Sequence, residues 1–265
     1  MPELPEVEAV CRRLREQVVG ARIVEARVVR CGTPAIERLA PGRRIESVER
    51  RGKHILMGLS GGLALDIHLR MSGDLFVIAG GGPSPASARI WLALAGRKRR
   101  AIILDDPRAL AVANVLSVAQ VEALDKGLGP EPLSGDFTRE RFSDAARRSR
   151  QPAKLFLMNQ RRVAGIGNIY AAEVLFRARI GPRRPIGRLR PSRLAALYSA
   201  IVSVLRDAVQ STFIAYSGPG EFRDAETFPL AVYGRERQPC LVCGAKIRRI
   251  VQGGRSTYFC PGCQR

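Results

Sequence analysis

The chain has 265 residues, 46% of them hydrophobic, with 44 Lys+Arg against 24 Asp+Glu, a formal charge of +20 and a pI of ≈ 11.0. That length accommodates two domains with cores, the apolar content excludes a disordered chain, and no stretch is long enough to span a membrane. The basic excess points to a nucleic-acid partner but is blind to sequence.

The first residues read MPELPEVEAV. Pro5 suits the first position of a helix, where its missing N–H costs nothing, and Val7, Val10, Cys11, Leu14 and Val18 then form a helical stripe that ends at Gly20. Pro2 has no role in that helix. The segment lacks the basic start and apolar run of a signal peptide, so a reducing cytoplasm is expected. Residues 21–80 alternate apolar and polar positions in short runs such as RIVEARVVR, HILMGL and LALDIHL, which is antiparallel strand patterning. AGGGPSPASA, 79–88, reads as a loop tip, and RIWLALAG with RAIILDD as another hairpin, with Trp91 expected in the core more than as a stacking platform. The stretch DKGLGPEPLSGDF, 125–137, marks a boundary, after which helices are expected over 138–150, 153–161, 168–180 and 192–211. The tail from about Pro229 reads as a small β-rich module. The expected domains are therefore 1–128, 129–228 and 229–265, in an α+β chain.

Arginine supplies all but five of the 44 basic residues. Bidentate phosphate contact and GC-rich coding both account for that bias, and any single arginine is first a solvated surface charge. Cys11 and Cys31 read as reduced core or near-core thiols. Cys240, Cys243, Cys260 and Cys263 follow the C-x2-C, sixteen residues, C-x2-C spacing of a closed four-thiolate zinc site; two disulfides are the alternative. In RRVAGIGNIYAAEVLF, Gly165 and Gly167 permit a tight turn and Asn168 is placed to cap the next helix. Such a helix start attracts phosphate, and Arg161 and Arg162 beside it favour a DNA backbone over a ligand-free corner.

MPELPEVE, RRGKHILMGL, LGPEPLSGDF with AGIGNIYAAEVLF, and VYGRERQPCLVCG…STYFCPGCQ, in that order from end to end, resemble the formamidopyrimidine-DNA glycosylase family. PELPEVE is closer to its formamidopyrimidine branch than to its endonuclease VIII branch. The resemblance implies an N-terminal β-sandwich with a leading helix, a helix-two-turn-helix domain with a zinc-finger hairpin, one Zn2+, and a monomer acting on damaged duplex DNA in the bacterial cytoplasm, with the nucleoid. It implies that Met1 is removed, that the secondary amine of Pro2 attacks C1′ of a damaged nucleotide, and that Glu3 delivers and shuttles protons. Lys53 matches a proton donor and phosphate contact, and Arg255 the zinc-finger arginine that grips the phosphate near the extruded nucleotide. Lys154, Asn168 and Glu173 match the lysine before the turn, the phosphate-binding asparagine and a supporting acid, and the resemblance implies that these three, with Gly167 in the same loop, belong to the DNA-binding set, Lys154 as a DNA contact. His68 and Met71 match the first base-stack wedge segment, and Arg108 the second.

Four positions depart from the family: Leu110 stands where a wedge phenylalanine is usual, Arg70 replaces glycine, Ala109 an arginine, and Arg89 a DNA-contacting histidine. The loop YSGPGEFRDAETF, 216–228, also matches poorly. The expected activity is a bifunctional glycosylase and abasic-site lyase acting on oxidised purines. The alternatives are the same chemistry on oxidised pyrimidines or alkylated bases, and a damage-binding protein without turnover; a zinc-finger regulator lacks a recognition helix near the cysteines.

Overall fold

The computed structural model describes residues 2–79, 85–96, 99–215 and 228–265. Helix α1 (Leu4–Val18) buries Val7, Val10, Cys11, Leu14 and Val18, the stripe its sequence shows, and Leu4 with them. It packs against β2 (Ile45–Arg51), β3 (His54–Leu59) and β5 (Asp74–Ala79). One antiparallel sheet has the order β2-β3-β4-β8, with β4 (Leu63–His68) and β8 (Val112–Ser117). The other runs β1-β6-β7-β5, with β1 (Ile23–Val28), β6 (Ala88–Leu94) and β7 (Arg100–Asp105). The core contains Ile55, Met57, Leu65, Ile67, Ile90, Leu92, Ile102 and Leu104, together with the apolar stripe of α1. Trp91 lies outside this core, half-buried in a small cluster with Phe76 and Ile103, because its register places it on the other face of its strand.

The sequence gives no periodic signal for α2 (Ala35–Leu39), β8 or α3 (Val118–Gly127), all present here. α3 buries none of its residues, so it carries no apolar stripe to read. Beyond it lie α4 (Arg139–Arg147), α5 (Ala153–Met158), α6 (Asn168–Arg177) and α7 (Pro191–Ala215), the first three shorter than their periodicity suggested and the last longer. Phe137, Phe142, Phe156 and Tyr198 pack together beneath them, and the Tyr198 hydroxyl donates to the Phe137 carbonyl at 2.9 Å.

The LGPEP segment has a structural function. Gly129 donates to the Gln160 carbonyl at 2.7 Å, and a Cβ at this position would lie 2.8 Å from backbone atoms of Arg161 and Arg162. Only glycine permits that approach. The Gln160 side chain closes the turn, donating to Met158 and Ile166 carbonyls and accepting from the Gly165 amide.

The tail forms one hairpin, β9 (Arg248–Gln252) and β10 (Arg255–Phe259), joined by Gly253 and Gly254 at φ 57 and 71, the positive values a two-residue type I′ turn needs. Val232, Cys240, Ile247 and Cys260 pack against Ala172 of α6. The chain divides into two compact units rather than three. The first holds Met1–Gly127 and the end of α7 from Thr212; the second holds Leu128–Ser211 and the tail through Arg265, because the zinc module shares a core with α6. The first boundary lies one residue before its expected position.

Candidate functional site

Glu3 occupies the N-cap of α1, and its amide donates to Glu6 Oε2 at 2.7 Å. Both carboxyl side chains are fully buried, and Pro2 is buried beside them. The helix begins at Leu4, one residue earlier than expected, which leaves Pro5 in the first turn where no N–H is needed. Met1 lies outside the described residues.

One turn into the helix, Glu8 accepts from Arg12 at 2.8 Å and from Arg50 at 2.9 Å. Burial raises its carboxyl, but the two guanidiniums outweigh that and hold it below its ordinary value. Arg50 also donates to the Gly52 carbonyl at 3.1 Å. Gly52, at φ 59, opens the two-residue connection between β2 and β3 whose other member is Lys53. A charged chain from α1 to that turn therefore fixes the backbone under Lys53.

Directly after that turn, at the start of β3, His54 Nδ1 lies 2.8 Å from Asp66 Oδ1, and the His54 ring meets His68 edge to face with centroids 4.9 Å apart. His68 Nδ1 accepts the Arg70 amide at 3.0 Å, so the neutral ring carries its proton on Nε2. Burial first, then the neighbouring His54, Arg70 and Lys53, push His68 down to about 3. His68 is thus a neutral hydrogen-bond donor at physiological pH. Arg70 is exposed and left-handed at φ 58, and Met71 is 49% exposed.

A second loop joins β7 to β8. Its carboxylate, Asp106, is fully buried and accepts from Ser72 Oγ and from the amides of Arg108, Leu110 and Ala111. Burial pushes it up, yet these hydrogen bonds prevail and its pKa is lowered. Arg108 is exposed, Ala109 is left-handed at φ 52, and Leu110 is 40% exposed. The Arg89 guanidinium donates to the carbonyls of Asp106 and Pro107 at 2.8 and 3.4 Å, so it braces this loop. Sequence reading overlooked Asp106, Glu6 and Glu8. An aspartate before proline is a turn-forming signal that could have drawn attention to Asp106.

In the second unit Lys154 is fully buried. Its ammonium donates to Asn168 Oδ1 at 2.5 Å, Thr257 Oγ1 at 2.6 Å and the Ser256 carbonyl at 3.1 Å. These bonds place it inside the protein as a brace, not on the surface as the DNA contact expected of it. Asn168 also donates to the Ser256 carbonyl at 3.0 Å, so both residues hold the start of β10, where Arg255 is exposed. The α6 N-cap is Gly167, with Asn168 the first helical residue, a correction by one position. Gly165, at φ 83, makes the tight turn; Gly167 has an ordinary φ of −122. Glu173 is likewise internal: it accepts from the amides of Ala231, Val232 and Tyr233 at 2.8, 3.0 and 2.8 Å, and burial raises its pKa against their pull. It anchors the segment leading into the zinc module.

The four tail thiols lie within 4.8 Å of one another, with Cys240 to Cys263 at 3.9 Å and Cys243 to Cys260 at 3.4 Å. Zinc–thiolate bonds of about 2.3 Å give a tetrahedron with edges of about 3.8 Å, so the set fits one zinc ion with no place left for water. This arrangement favours the metal site over two disulfides.

Fold and site together define a two-unit protein, a helix-led β-sandwich and a helical unit that carries a four-thiolate metal site, and comparison with known proteins places it. Three family models match in succession: the formamidopyrimidine-DNA glycosylase N-terminal domain over 1–113, its H2TH domain over 128–217, and a zinc finger found in FPG and IleRS over 237–265. Formamidopyrimidine-DNA glycosylases of Chloroflexus aggregans and Thermus thermophilus are 40% and 41% identical, each covering 100% of this chain and 98% of the relative. Among solved structures, the Lactococcus lactis enzyme with Fapy-dG DNA superposes with a TM-score of 0.89 at 32% identity, over 99% of this chain and 100% of that one. The same enzyme bound non-covalently to DNA with an AP site gives 0.87 at 32% identity, over 99% of both chains. The chain belongs to the formamidopyrimidine-DNA glycosylase family.

Proposed function

We propose that this protein excises oxidised purines from duplex DNA and then nicks the strand at the resulting abasic site. The full-length family match carries this assignment, and the buried Glu3 beside Pro2 supports its chemistry. After removal of Met1, Pro2 offers an α-amino group with an ordinary pKa of about 8, partly neutral at physiological pH. Its nitrogen bonds to C1′ as the glycosidic bond breaks, and the base departs with a proton from Glu3. Glu3, left as a carboxylate, takes the proton of the bonded amine and passes it to the ring oxygen, so that the sugar opens to an iminium with no N–H to lose. That cation draws electrons as a C2′ proton leaves and the 3′ phosphate is expelled, and a second elimination releases the 5′ side. Lys53 and Arg255 contact the strand phosphates, His68 and Asn168 donate hydrogen bonds, and Lys154 and Glu173 hold the Asn168 and Arg255 platform in shape. The zinc ion stabilises the hairpin that presents Arg255 and supplies no reaction step.

Bacterial relatives support a cytoplasmic setting, and no described helix is long and apolar enough to cross a membrane. A monomer suffices for the proposed chemistry. Incubation with a duplex holding one formamidopyrimidine lesion is expected to yield free base and a nicked strand; release of neither would refute the assignment.

A shift in lesion preference is the second possibility, favoured by the exposed Leu110 and the left-handed Arg70. Leucine fills a gap in the base stack but has no π-face, and stacking contributes about 1–3 kcal/mol per base. Leu110→Phe is expected to speed single-turnover excision of 8-oxoguanine about tenfold, the equivalent of ~1.4 kcal/mol. Comparison with formamidopyrimidine, oxidised pyrimidine and alkylated substrates would show whether the preference moves. Fast excision by the native protein that is unchanged in the variant would contradict this. The 216–228 loop, a further departure from the family, falls outside the described residues except for Phe228.

A further inference from the structure

We propose that Asp106 is a positioning residue for base extrusion: its carboxylate locks the loop bearing Met71 to the loop bearing Leu110, so that the two side chains enter the base stack as one rigid wedge. The inference rests on the wedge assignment above. Oδ1 accepts from Ser72 Oγ at 2.6 Å and the Arg108 amide at 3.1 Å, while Oδ2 accepts from the Leu110 amide at 2.6 Å and the Ala111 amide at 2.7 Å. Three backbone amides and the Ser72 hydroxyl converging on a buried carboxyl favour the ionised form. All four donors lie outside the strands, so the carboxylate organises the loops rather than either sheet. The backbone of Asp106 adds to this: its amide donates to the Ser87 carbonyl at 3.0 Å, and its carbonyl accepts from Ala109 at 3.0 Å and from Arg89 at 2.8 Å.

The loops are built alike. Arg70, at φ 58, immediately precedes Met71, and Ala109, at φ 52, immediately precedes Leu110. Residues with a Cβ remain in the left-handed region only where their surroundings over-determine it. The loops also meet sterically, since a Cβ on Gly73 would come 2.6 Å from the Leu69 carbonyl and 3.2 Å from Ala111 Cβ. A wedge that must push between stacked bases works only if its mount does not yield, and the anionic brace supplies that stiffness.

Asp106→Asn tests the inference, because the amide keeps the shape but sets an NH2 against backbone donors. Single-turnover excision from a lesion duplex is expected to fall about tenfold or more, while nicking of a preformed abasic site, where no base remains to be extruded, changes less than about threefold. The fluorescence rise of 2-aminopurine placed beside the lesion, which reports unstacking, is expected to slow in parallel. A purely structural role would lower both activities together, in proportion to the folded fraction, and that result would overturn the inference. Should the variant fail to fold, Ser72→Ala removes only the bond between the loops and is expected to shift the same ratio less; an unchanged ratio would overturn the inference as well. Met71→Ala separates the two levels. If it leaves the ratio unchanged, the wedge assignment itself fails; if it lowers the ratio and Asp106→Asn does not, only the role of Asp106 fails.

Discussion

Glu3→Gln is expected to slow single-turnover base excision by about 10²–10⁴-fold, the usual contribution of a positioned proton donor. Glutamine matches glutamate in shape, so the start of α1 and the bond from its amide to Glu6 are retained. What it cannot do is give up a proton to the departing base, and Glu3 is fully buried, away from bulk water. A preformed abasic site needs no base departure, so its cleavage is expected to fall much less. Parallel time courses on lesion and abasic duplexes test this; equal losses on both substrates, or none, would remove Glu3 from the proton-donor role.

The second large effect concerns the metal. Structural zinc contributes an apparent ~10–16 kcal/mol to finger peptides at neutral pH, and a short tail with one hairpin and a small apolar cluster has no other comparable source of stability. Removing the ion is expected to unfold residues 240–263 and with them the contacts that Lys154 and Asn168 make to Ser256 and Thr257. DNA binding is therefore expected to weaken sharply as zinc is lost, and Lys154, fully buried in the folded form, to become reactive toward an amine-modifying reagent. Metal analysis, DNA titration and peptide mapping on the same chelated sample test this. Undiminished binding with no zinc present would contradict it.

The sequence exposed these features unevenly, for physical reasons. The α1 stripe and the four-cysteine spacing were legible because each is a short-range pattern with one structural solution. Trp91 was misplaced because strand alternation does not say which face meets the main core. Lys154 looked like a phosphate contact, since a lysine beside a DNA-binding turn is ordinarily exposed; its burial depends on acceptors 14, 102 and 103 residues away. Asp106 went unnoticed for a similar reason, as its link to Ser72 spans 34 residues. Local spacing signalled the zinc ligands, the roles expected of Pro2 and Glu3 followed from the resemblance, and the braces behind them depend on tertiary contacts.

The central claim is that the amine of Pro2 is the nucleophile. Borohydride reduction of the protein mixed with lesion-containing duplex, followed by peptide mapping of the covalent adduct, tests it most directly. The adduct is expected on the N-terminal peptide at Pro2, and Pro2→Gly is expected to weaken or abolish trapping while retaining much of the DNA affinity, because the phosphate contacts lie elsewhere. An adduct mapped to Lys53, or trapping by Pro2→Gly as efficient as that of the native protein, would contradict the account.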